Sequence, residues 1–140
     1  MSTATAAYPP ESPARQMVRR SSLIMPINVP VFIEKAHLRG ADAIVLDLEY
    51  SIPPAEKARA RTLVKDAIPK VGRGGSDVTV RINRPWKLGE ADLEAVIWPG
   101  LVGISFPKPE TVEELQRTDE KIAQLETKKR AALQARGEAV

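Results

Sequence analysis

The stretch AIVLDLEYSIPPAEKARAR, residues 43–61, contains the local pattern that decides the fold. It begins with an apolar run that ends in two acids, Asp47 and Glu49, and two prolines then precede an amphipathic segment. An apolar run without polar alternation is typical of a parallel strand that is buried on both faces. A proline in the first turn is typical of a helix start. The stretch therefore predicts a buried strand followed by a helix.

The same unit of a strand and a helix recurs along the chain. The apolar patterns predict strands at residues 21–27, 42–48, 77–83 and 100–106, and helices at residues 29–40, 54–68, 89–97 and 111–137. Thr111 with Glu114 three residues later is the capping-box pattern, and it starts the last helix. Four such units in succession predict an α/β fold with a parallel sheet and right-handed crossovers.

Length and composition are those of an ordinary globular protein. The chain has 140 residues, of which 43% are hydrophobic and 28% are charged, and it has no cysteine, which excludes disulfide and thiolate chemistry. No apolar run reaches the length of a membrane span. The 21 basic and 18 acidic residues are too evenly mixed to indicate nucleic-acid binding. We therefore expect neither a membrane nor a nucleic acid as a partner.

The amino-terminal segment differs in composition from the rest. Its small and polar residues and its prolines predict a disordered tail over residues 1–18, with the folded part over residues 19–140. Arg15, Arg19 and Arg20 against one acid are also compatible with a mitochondrial presequence, although the prolines oppose an amphipathic helix. We expect a cytoplasmic protein, with a mitochondrial location as the alternative.

Polar and charged side chains collect where the predicted strands end. Asp47 and Glu49 end the second strand, Arg81 and Asn83 end the third, and Lys108 follows the fourth. In parallel α/β folds, the carboxyl ends of the strands form the edge at which sites are built. The amino ends of the strands carry nothing comparable in the sequence. This asymmetry predicts a functional face at the carboxyl edge.

Two interpretations of these charged residues remain open at this point. The acids are either functional groups or caps of the next helix, and their distance of five to seven residues from Pro54 favours function. Arg81 lies between apolar neighbours, so its partner is either an anionic ligand or an internal acid. Asp47 or Glu49, one strand away, would be that internal acid.

Five segments resemble, in order and spacing, the citrate lyase beta-subunit and malyl-CoA lyase family, also called the HpcH/HpaI aldolase group. They are RRSSLIMP, IEKAHLRGADAIVLDLE, PPAEKARAR, VRIN followed by DLEAV, and GISFPKPE, and they extend over about residues 19–125. The resemblance implies a TIM (β/α)8 barrel. It also implies that the protein cleaves or forms carbon–carbon bonds beside a carbonyl, commonly in acyl-CoA thioesters, with a divalent metal such as Mg²⁺.

The resemblance implies a role for each candidate residue. Arg81 is the expected catalytic and substrate-binding residue, since its counterpart polarises the carbonyl or enolate oxygen of the substrate. Asp47 and Glu49 are implied to stand behind the metal and its waters and to orient them without binding the metal directly. Lys108 and Arg20 are implied to bind the acyl-CoA or carboxylate end of the substrate.

Three departures from the family pattern bear on activity. Tyr50 replaces the last acid of the family's DLED motif, and Ile27 stands where the family favours glycine. A TIM barrel takes about 250 residues, so four β–α units are expected to form a truncated half-barrel. The family's direct metal ligands, a glutamate and an aspartate, come from its fifth and sixth strands. We therefore expect no direct metal ligand within this chain.

Two functional hypotheses follow from these observations. The chain is either the amino-terminal half of a Mg²⁺-dependent lyase for acyl-CoA or small carboxylate substrates, inactive in isolation, or a non-catalytic remnant that binds a ligand or partner. Open edges at the first and fourth strands favour association, because inner-face residues such as Val45, Val80 and Ile104 would lack closing partners. We expect a homo-oligomer or association with a completing chain.

Overall fold

A computed structural model of the chain describes residues 19–138, so the predictions for residues 1–18 lie outside the described residues. Its four strands are β1 Ser22–Pro26, β2 Ala43–Asp47, β3 Asp77–Arg81 and β4 Leu101–Ser105. They form one sheet in the order β1-β2-β3-β4, and every neighbouring pair is parallel. This confirms the α/β prediction, and the arrangement corresponds to half of an eight-stranded (β/α) barrel.

Helical structure follows each strand. The α-helices are α1 Pro30–Lys35, α2 Lys57–Thr62, α3 Val64–Gly72, α4 Trp86–Val96 and α5 Val112–Ala135, with 3-10 turns at Ala36–Leu38 and Pro54–Glu56. No helix in the described part of the chain is long and apolar enough to cross a membrane.

The single helix predicted over residues 54–68 is divided in the structure and extends to Gly72. At the junction of α2 and α3, the Thr62 hydroxyl donates to the Arg59 carbonyl at 2.6 Å. The Leu63 N–H contacts the Ala60 carbonyl, as in a tighter helical turn. A threonine side chain that competes for backbone carbonyls weakens the regular hydrogen bonding of a helix. The helix is therefore interrupted at this junction, although the apolar spacing of the sequence continues through it.

The main hydrophobic core lies between the helices and one face of the sheet. Leu46 and Val80 are register partners on β2 and β3, and both are completely buried in this core. Ile104, the register partner of Val80 on β4, packs against the same core. The prediction that Val80 and Ile104 share the inner face with Val45 was wrong, because successive residues of a strand point to opposite faces and the register places Val80 beside Leu46.

The opposite face of the sheet carries a separate row of side chains. Ile24, Val45, Thr79 and Gly103 are consecutive register partners across the four strands, and we call them the inner row. Neither Ile24 nor Val45 belongs to the core cluster. In a closed barrel, this face is the interior.

Candidate functional site

Arg81 and Asp47 end neighbouring strands and form a two-point ion pair. They are register partners, with Arg81 Nε 2.8 Å from Asp47 Oδ1 and Arg81 Nη2 2.9 Å from Asp47 Oδ2. The Asp47 side chain is completely buried, whereas 24% of the Arg81 side chain stays exposed. A two-point bond fixes the plane of the guanidinium. The sequence was compatible with either an anionic ligand or an internal acid as the partner of Arg81, and the structure shows the internal acid, Asp47.

The other contacts of Asp47 hold the loop that follows β2. Its Oδ1 accepts from the Glu49 backbone N–H at 2.9 Å, and its Oδ2 accepts from the Ser51 backbone N–H at 2.9 Å and the Ser51 hydroxyl at 2.7 Å. Asp47 therefore caps a turn inside this loop rather than the helix that begins further on. Ser51 was not predicted, since its one signal in the sequence is a hydroxyl four residues after a buried acid.

The environment of Asp47 favours its charged form. Burial by itself raises the pKa of Asp47, but the hydrogen bonds from Arg81, Ser51 and the loop N–H groups outweigh burial and hold this pKa well below its ordinary value. The hydrogen bond to Asp47 in turn raises the pKa of Arg81. The pair therefore stays ionised across the physiological pH range, and Arg81 presents a permanent positive charge at the carboxyl edge.

Glu49 is the second acid beside Arg81. Its Oε2 lies 3.7 Å from Arg81 Nε, and 28% of its side chain is exposed. The two hydrogen bonds to Asp47 use only part of the five N–H donors that a guanidinium has. Arg81 therefore has donors left for a ligand oxygen, and Glu49 lies next to the place where that oxygen would arrive.

A buried network lies behind this pair, and most of it was not anticipated. The Asn83 amide, 3% exposed, donates to Asp92 Oδ2 at 2.7 Å and to the Leu48 carbonyl at 2.9 Å. Lys57 Nζ donates to Asn83 Oδ1 and to the Glu49 carbonyl, both at 2.7 Å. Asn83 was predicted at this edge, and its amide and Lys57 together hold the backbone carbonyls of Leu48 and Glu49.

Helix α4 supplies the acid of this network. Asp92 is completely buried and also accepts from Arg61 Nε at 3.0 Å. A Cβ at Gly89 would lie 2.5 Å from the Asn83 carbonyl oxygen, so only glycine allows α4 to approach this closely. The sequence held one signal for Asp92, since it shares a helix face with the buried Leu93 and Val96.

A further charged cluster joins the carboxyl edge to the start of α5. Arg84 Nε lies 2.7 Å from Glu114 Oε1, and Arg84 Nη2 lies 2.8 Å from Glu110 Oε2. Hydrogen bonds from the Glu110 backbone, Arg84 and the Thr111 backbone lower the pKa of Glu114 to about 2. The predicted capping box of Thr111 and Glu114 is confirmed. Arg84, which was not predicted from the sequence, links this cap to the loop after β3.

The structure separates the other two predicted substrate-binding residues. Lys108 is exposed in the loop after β4, at the same edge as Arg81, and its backbone φ of 41° is unusual for a lysine. Arg20 precedes β1 and therefore lies at the opposite, amino edge of the parallel sheet. Asp47, Glu49 and Arg81 thus lie together, Lys108 shares their edge, and Arg20 does not join them.

The amino edge of the sheet is also charged, contrary to the expected asymmetry. Arg20 Nε lies 3.1 Å from Asp42 Oδ2, and Arg19 Nε lies 3.4 Å from Asp77 Oδ2. These partners are 22 and 58 positions apart in the sequence, so local patterns did not reveal them. The charged groups at the amino edge are therefore engaged with each other, whereas Arg81 keeps donors at the carboxyl edge.

The side chains at the carboxyl edge do not fit Mg²⁺ by themselves. Asp47 already accepts five hydrogen bonds. Of the two acids Asp47 and Glu49, Glu49 is therefore the one that could offer a carboxylate oxygen to a metal ion. Among residues 19–138, no three His, Cys, Asp or Glu side chains cluster in a way that could hold a metal ion. Mg²⁺ requires near-octahedral oxygen ligation, and this pair alone does not supply it.

The chain matches one known protein family and several of its members. The family model HpcH/HpaI aldolase/citrate lyase matches residues 20–137. The citrate lyase subunit beta of Leuconostoc mesenteroides subsp. cremoris is 34% identical over 112 residues, which are 79% of this chain and 37% of that protein. The L-malyl-CoA/beta-methylmalyl-CoA lyase of Cereibacter sphaeroides (strain ATCC 17029 / ATH 2.4.9) is 40% identical over 74 residues, which are 53% of this chain and 23% of that protein. The chain thus spans little more than a third of the length of the citrate lyase subunit beta relatives that it matches.

Proposed function

Because the chain belongs to the HpcH/HpaI aldolase/citrate lyase family, we propose that its carboxyl edge is part of a site for carbon–carbon bond cleavage or formation. The proposed substrates are acyl-CoA thioesters, the class named in the malyl-CoA lyase relative, and small carboxylates, the class named in the citrate lyase relative. The single observation that carries the proposal is Arg81, held rigidly by a buried Asp47 with donors left at the open edge.

The proposed chemistry follows from the charge that develops in such a reaction. When the carbon–carbon bond beside a carbonyl breaks, negative charge collects on the carbonyl oxygen as an enolate forms. A guanidinium whose plane is already fixed stabilises that oxygen without reorganising, which contributes about 3 kcal/mol for one well-placed donor. Asp47 acts as a positioning residue for Arg81, and Glu49 lies where it can orient a substrate hydroxyl or a water molecule.

Mg²⁺ is proposed as the cofactor because the resemblance to the citrate lyase and malyl-CoA lyase family implies a divalent metal. The side chains of residues 19–138 do not form a metal cluster of their own. We therefore propose that its direct ligands come from a completing chain or segment, and no step of the reaction is assigned to the metal on the residues described.

Lys108 remains a proposed contact for the acyl-CoA or carboxylate end of the substrate, because it is exposed at the same edge as Arg81. Arg20 lies at the opposite edge and is paired with Asp42. A shared role of Arg20 in binding the same substrate therefore has no support from its position, and we leave it out of the proposed site.

A second candidate function is that of a non-catalytic fragment that binds a ligand or a partner. The observation that favours it is that Asp47 is engaged by five hydrogen bonds while Arg81 keeps donors at the open edge, an arrangement that suits binding of an anion. Under this proposal, the carboxyl edge binds a carboxylate or an acyl-CoA without turning it over. The cytoplasmic location, with the mitochondrial alternative, also stays a prediction.

An NMR titration of the ¹⁵N-labelled chain with oxaloacetate, and separately with acetyl-CoA, tests the proposed site. We expect chemical-shift changes at Arg81, Glu49 and Lys108, and none at Arg20, which serves as the internal control. Binding of neither compound, or changes confined to the amino edge, would contradict a substrate site at the carboxyl edge.

Turnover distinguishes the two candidate functions. Addition of malyl-CoA and Mg²⁺, with product followed by chromatography, shows formation of acetyl-CoA if the chain is a functioning lyase. Binding at Arg81 without turnover supports the binding fragment. Arg81→Lys keeps the positive charge but loses the two-point geometry of the guanidinium. A site that uses this geometry should bind oxaloacetate about tenfold more weakly in the variant, which corresponds to a loss of about 1.4 kcal/mol of binding free energy.

A further inference from the structure

The ammonium group of Lys57 is held by three uncharged oxygens. At the start of α2, its Nζ donates to Asn83 Oδ1 at 2.7 Å, to the Glu49 carbonyl at 2.7 Å and to the Leu48 carbonyl at 3.2 Å. A lysine ammonium has three N–H donors, so every donor has a partner. No acid of residues 19–138 forms an ion pair with Lys57. We call the three oxygens the cation cradle.

The cation cradle is fixed by groups other than Lys57. The Asn83 amide nitrogen donates to the Leu48 carbonyl at 2.9 Å and to the buried Asp92 carboxylate at 2.7 Å. Turning this amide over would bring its oxygen against these two acceptors and its N–H groups against the Lys57 ammonium. Since an amide oxygen accepts and an amide nitrogen donates, one orientation satisfies all partners, and it directs Asn83 Oδ1 to Lys57.

Lys57 and Asp47 hold the backbone of Glu49 from its two sides. The Glu49 N–H donates to Asp47 Oδ1 at 2.9 Å, and the Glu49 carbonyl accepts from Lys57 Nζ at 2.7 Å. The Glu49 side chain, by contrast, forms an ion pair with Arg81 at 3.7 Å and is 28% exposed. The backbone of Glu49 is therefore fixed while its carboxylate stays accessible. A functional group on a supported backbone is the arrangement that precise ligand binding requires.

We propose that Lys57 is a positioning residue for the candidate site, in which its ammonium acts as a tethered monovalent cation. By holding the Glu49 carbonyl, Lys57 keeps the Glu49 N–H on Asp47. Asp47 in turn fixes the plane of the Arg81 guanidinium. The inference deepens the proposed function and rests on it, because the position of Arg81 matters for function only if Arg81 meets a ligand.

The oxygens of the cation cradle define the class of ion that it takes. Uncharged carbonyl oxygens hold K⁺ in ion channels, whereas Mg²⁺ is bound mainly through carboxylates, waters and phosphates. A primary ammonium brings three donors to three acceptors. Without the Lys57 side chain, the cradle should therefore accept a small alkylammonium ion. Lys57 is not a member of the hydrophobic core, so its truncation opens no apolar cavity there.

Lys57→Ala removes the ammonium and most of its stem, and propylammonium has the length to replace them. Amide hydrogen exchange, followed by NMR on the ¹⁵N-labelled chain, needs no substrate. We expect the Glu49 and Ser51 N–H groups to exchange at least about tenfold faster in the variant, because the loop loses a charged hydrogen-bond donor. Propylammonium should restore slow exchange, and uncharged propan-1-ol should not. Unchanged exchange in the variant, or equal recovery with both compounds, would overturn the proposal.

Two further variants show whether the cation cradle itself is the site of recovery. Lys57→Met places an apolar side chain of similar length in the cradle, so exchange should be fast and propylammonium should not slow it. Lys70→Ala is the control for loss of a lysine charge, since Lys70 is half exposed on α3 and pairs with Glu34. We expect no change at Glu49 in this control. Recovery in Lys57→Met, or faster exchange in Lys70→Ala, would contradict the cradle.

Titration with oxaloacetate connects the cation cradle to the candidate site. Binding should be at least about tenfold weaker in Lys57→Ala than in the unmodified chain, a loss that propylammonium reverses and Lys70→Ala does not show. Faster exchange with unchanged affinity would mean that Lys57 holds the loop without positioning Arg81, and would overturn the proposal. If the unmodified chain binds no oxaloacetate, the proposed substrate site is wrong. Exchange of the Arg81 Nε–H, faster in Lys57→Ala or unchanged, then decides whether Lys57 positions Arg81.

If Lys57→Ala loses its cooperative melt, the ammonium groups of the unmodified chain decide the matter. The Lys57 ammonium protons should exchange with water at least about tenfold more slowly than those of the exposed Lys128 on α5, because each has a hydrogen-bond partner in the cradle. Equal exchange of the two ammonium groups would overturn the proposal.

Discussion

At the scale of single residues, two arginine–aspartate pairs of similar length differ in burial. Arg81 and Asp47 lie 2.8 Å apart with the acid completely buried, whereas Arg20 and Asp42 lie 3.1 Å apart with the Arg20 side chain 80% exposed. Removing one partner of a buried pair leaves a charge without compensation. An exposed pair contributes little, because water solvates either partner. The two pairs therefore serve as target and control in one experiment.

Arg81→Ala is expected to lower the free energy of unfolding by about 3 kcal/mol, the lower end of the range for a broken buried pair, because the carboxyl edge is partly open to water. Arg20→Ala should lower it far less, because water solvates either partner of an exposed pair. Urea unfolding followed by circular dichroism measures both. Equal effects of the two variants would show that the Arg81 pair is no better shielded from water than the surface pair.

The double variant Arg81→Ala, Asp47→Asn isolates the cause of the loss. It removes the unpaired carboxylate together with its partner, so we expect it to be more stable than Arg81→Ala alone. If the double variant were instead less stable by the sum of both single effects, the cost would arise from lost packing rather than from a stranded charge.

The stability contributed by ionised Asp47 depends on pH in a defined direction. Its pKa is lower in the folded chain than in the unfolded chain, where it is about 3.9. This contribution is therefore complete above about pH 5 and is lost as the pH falls through the unfolded value towards the folded one. The Asp47→Asn variant lacks the stability that the ionised carboxylate contributes. The difference in unfolding free energy between the original chain and this variant should therefore shrink as the pH falls from about 5 to about 2. Urea unfolding at several pH values measures the difference, and a gap that stays constant would contradict the ionised pair.

At the scale of elements, α5 depends on a cap that also connects it to the sheet. The Thr111 hydroxyl accepts from the Glu114 N–H at 3.2 Å, and Glu114 Oε2 accepts from the Thr111 N–H at 3.0 Å. Glu114 at the same time pairs with Arg84 in the loop after β3. The first turn of the helix is thus tied to the carboxyl edge, so a local capping signal also has a tertiary consequence.

Thr111→Ala is expected to cost about 1 kcal/mol of unfolding free energy, the usual effect of removing a threonine N-cap. Thr127→Ala is the matched control, since Thr127 is an exposed threonine inside the same helix and its hydroxyl bonds only to the Ala123 carbonyl. There, the better helix propensity of alanine should leave stability unchanged or slightly higher. Thermal and urea unfolding of both variants provide the comparison, and equal losses would show that the cap contributes nothing specific.

At the scale of the whole molecule, the parallel sheet brings residues distant in the sequence to one edge. Asp47 and Arg81 are 34 positions apart, and Asn83 and Lys57 are 26 positions apart. Arg81, Ser51 and the Glu49 backbone together occupy the hydrogen-bonding capacity of Asp47. The assembled edge is therefore better suited to orienting a ligand through Arg81 than to holding a metal.

We expect the isolated chain to bind Mg²⁺ no more tightly than on the order of millimolar, because Glu49 supplies one carboxylate where the ion requires several oxygens. Isothermal titration with Mg²⁺, with Asp47→Asn as a comparison, measures this. A stoichiometric site of micromolar affinity that disappears in Asp47→Asn would mean that Asp47 exchanges its hydrogen bonds for the metal, and the positioning role assigned to it would be wrong.

The order of elements was predictable because it depends on local patterns. The apolar runs identified all four strands, each within two residues of its observed ends, and the capping box identified the start of α5. The break after Thr62 was not predictable, because the apolar period of the helix continues across it. The faces of Val80 and Ile104 were also missed, since the face of a residue depends on the register between strands.

Within the candidate site, local patterns predicted which residue types stand at the carboxyl ends of the strands, and hence that Asp47, Glu49 and Arg81 lie close together. Only the tertiary structure decided how they are paired, with Asp47 saturated, Glu49 partly exposed and Arg81 left with free donors. It also decided that Arg20 lies at the other edge, and that Lys57, Arg61 and Asp92 form the buried support. The physical reason is that strand and helix patterns repeat over a few residues, whereas a hydrogen bond between charged groups requires a distance near 3 Å that only the packed chain sets.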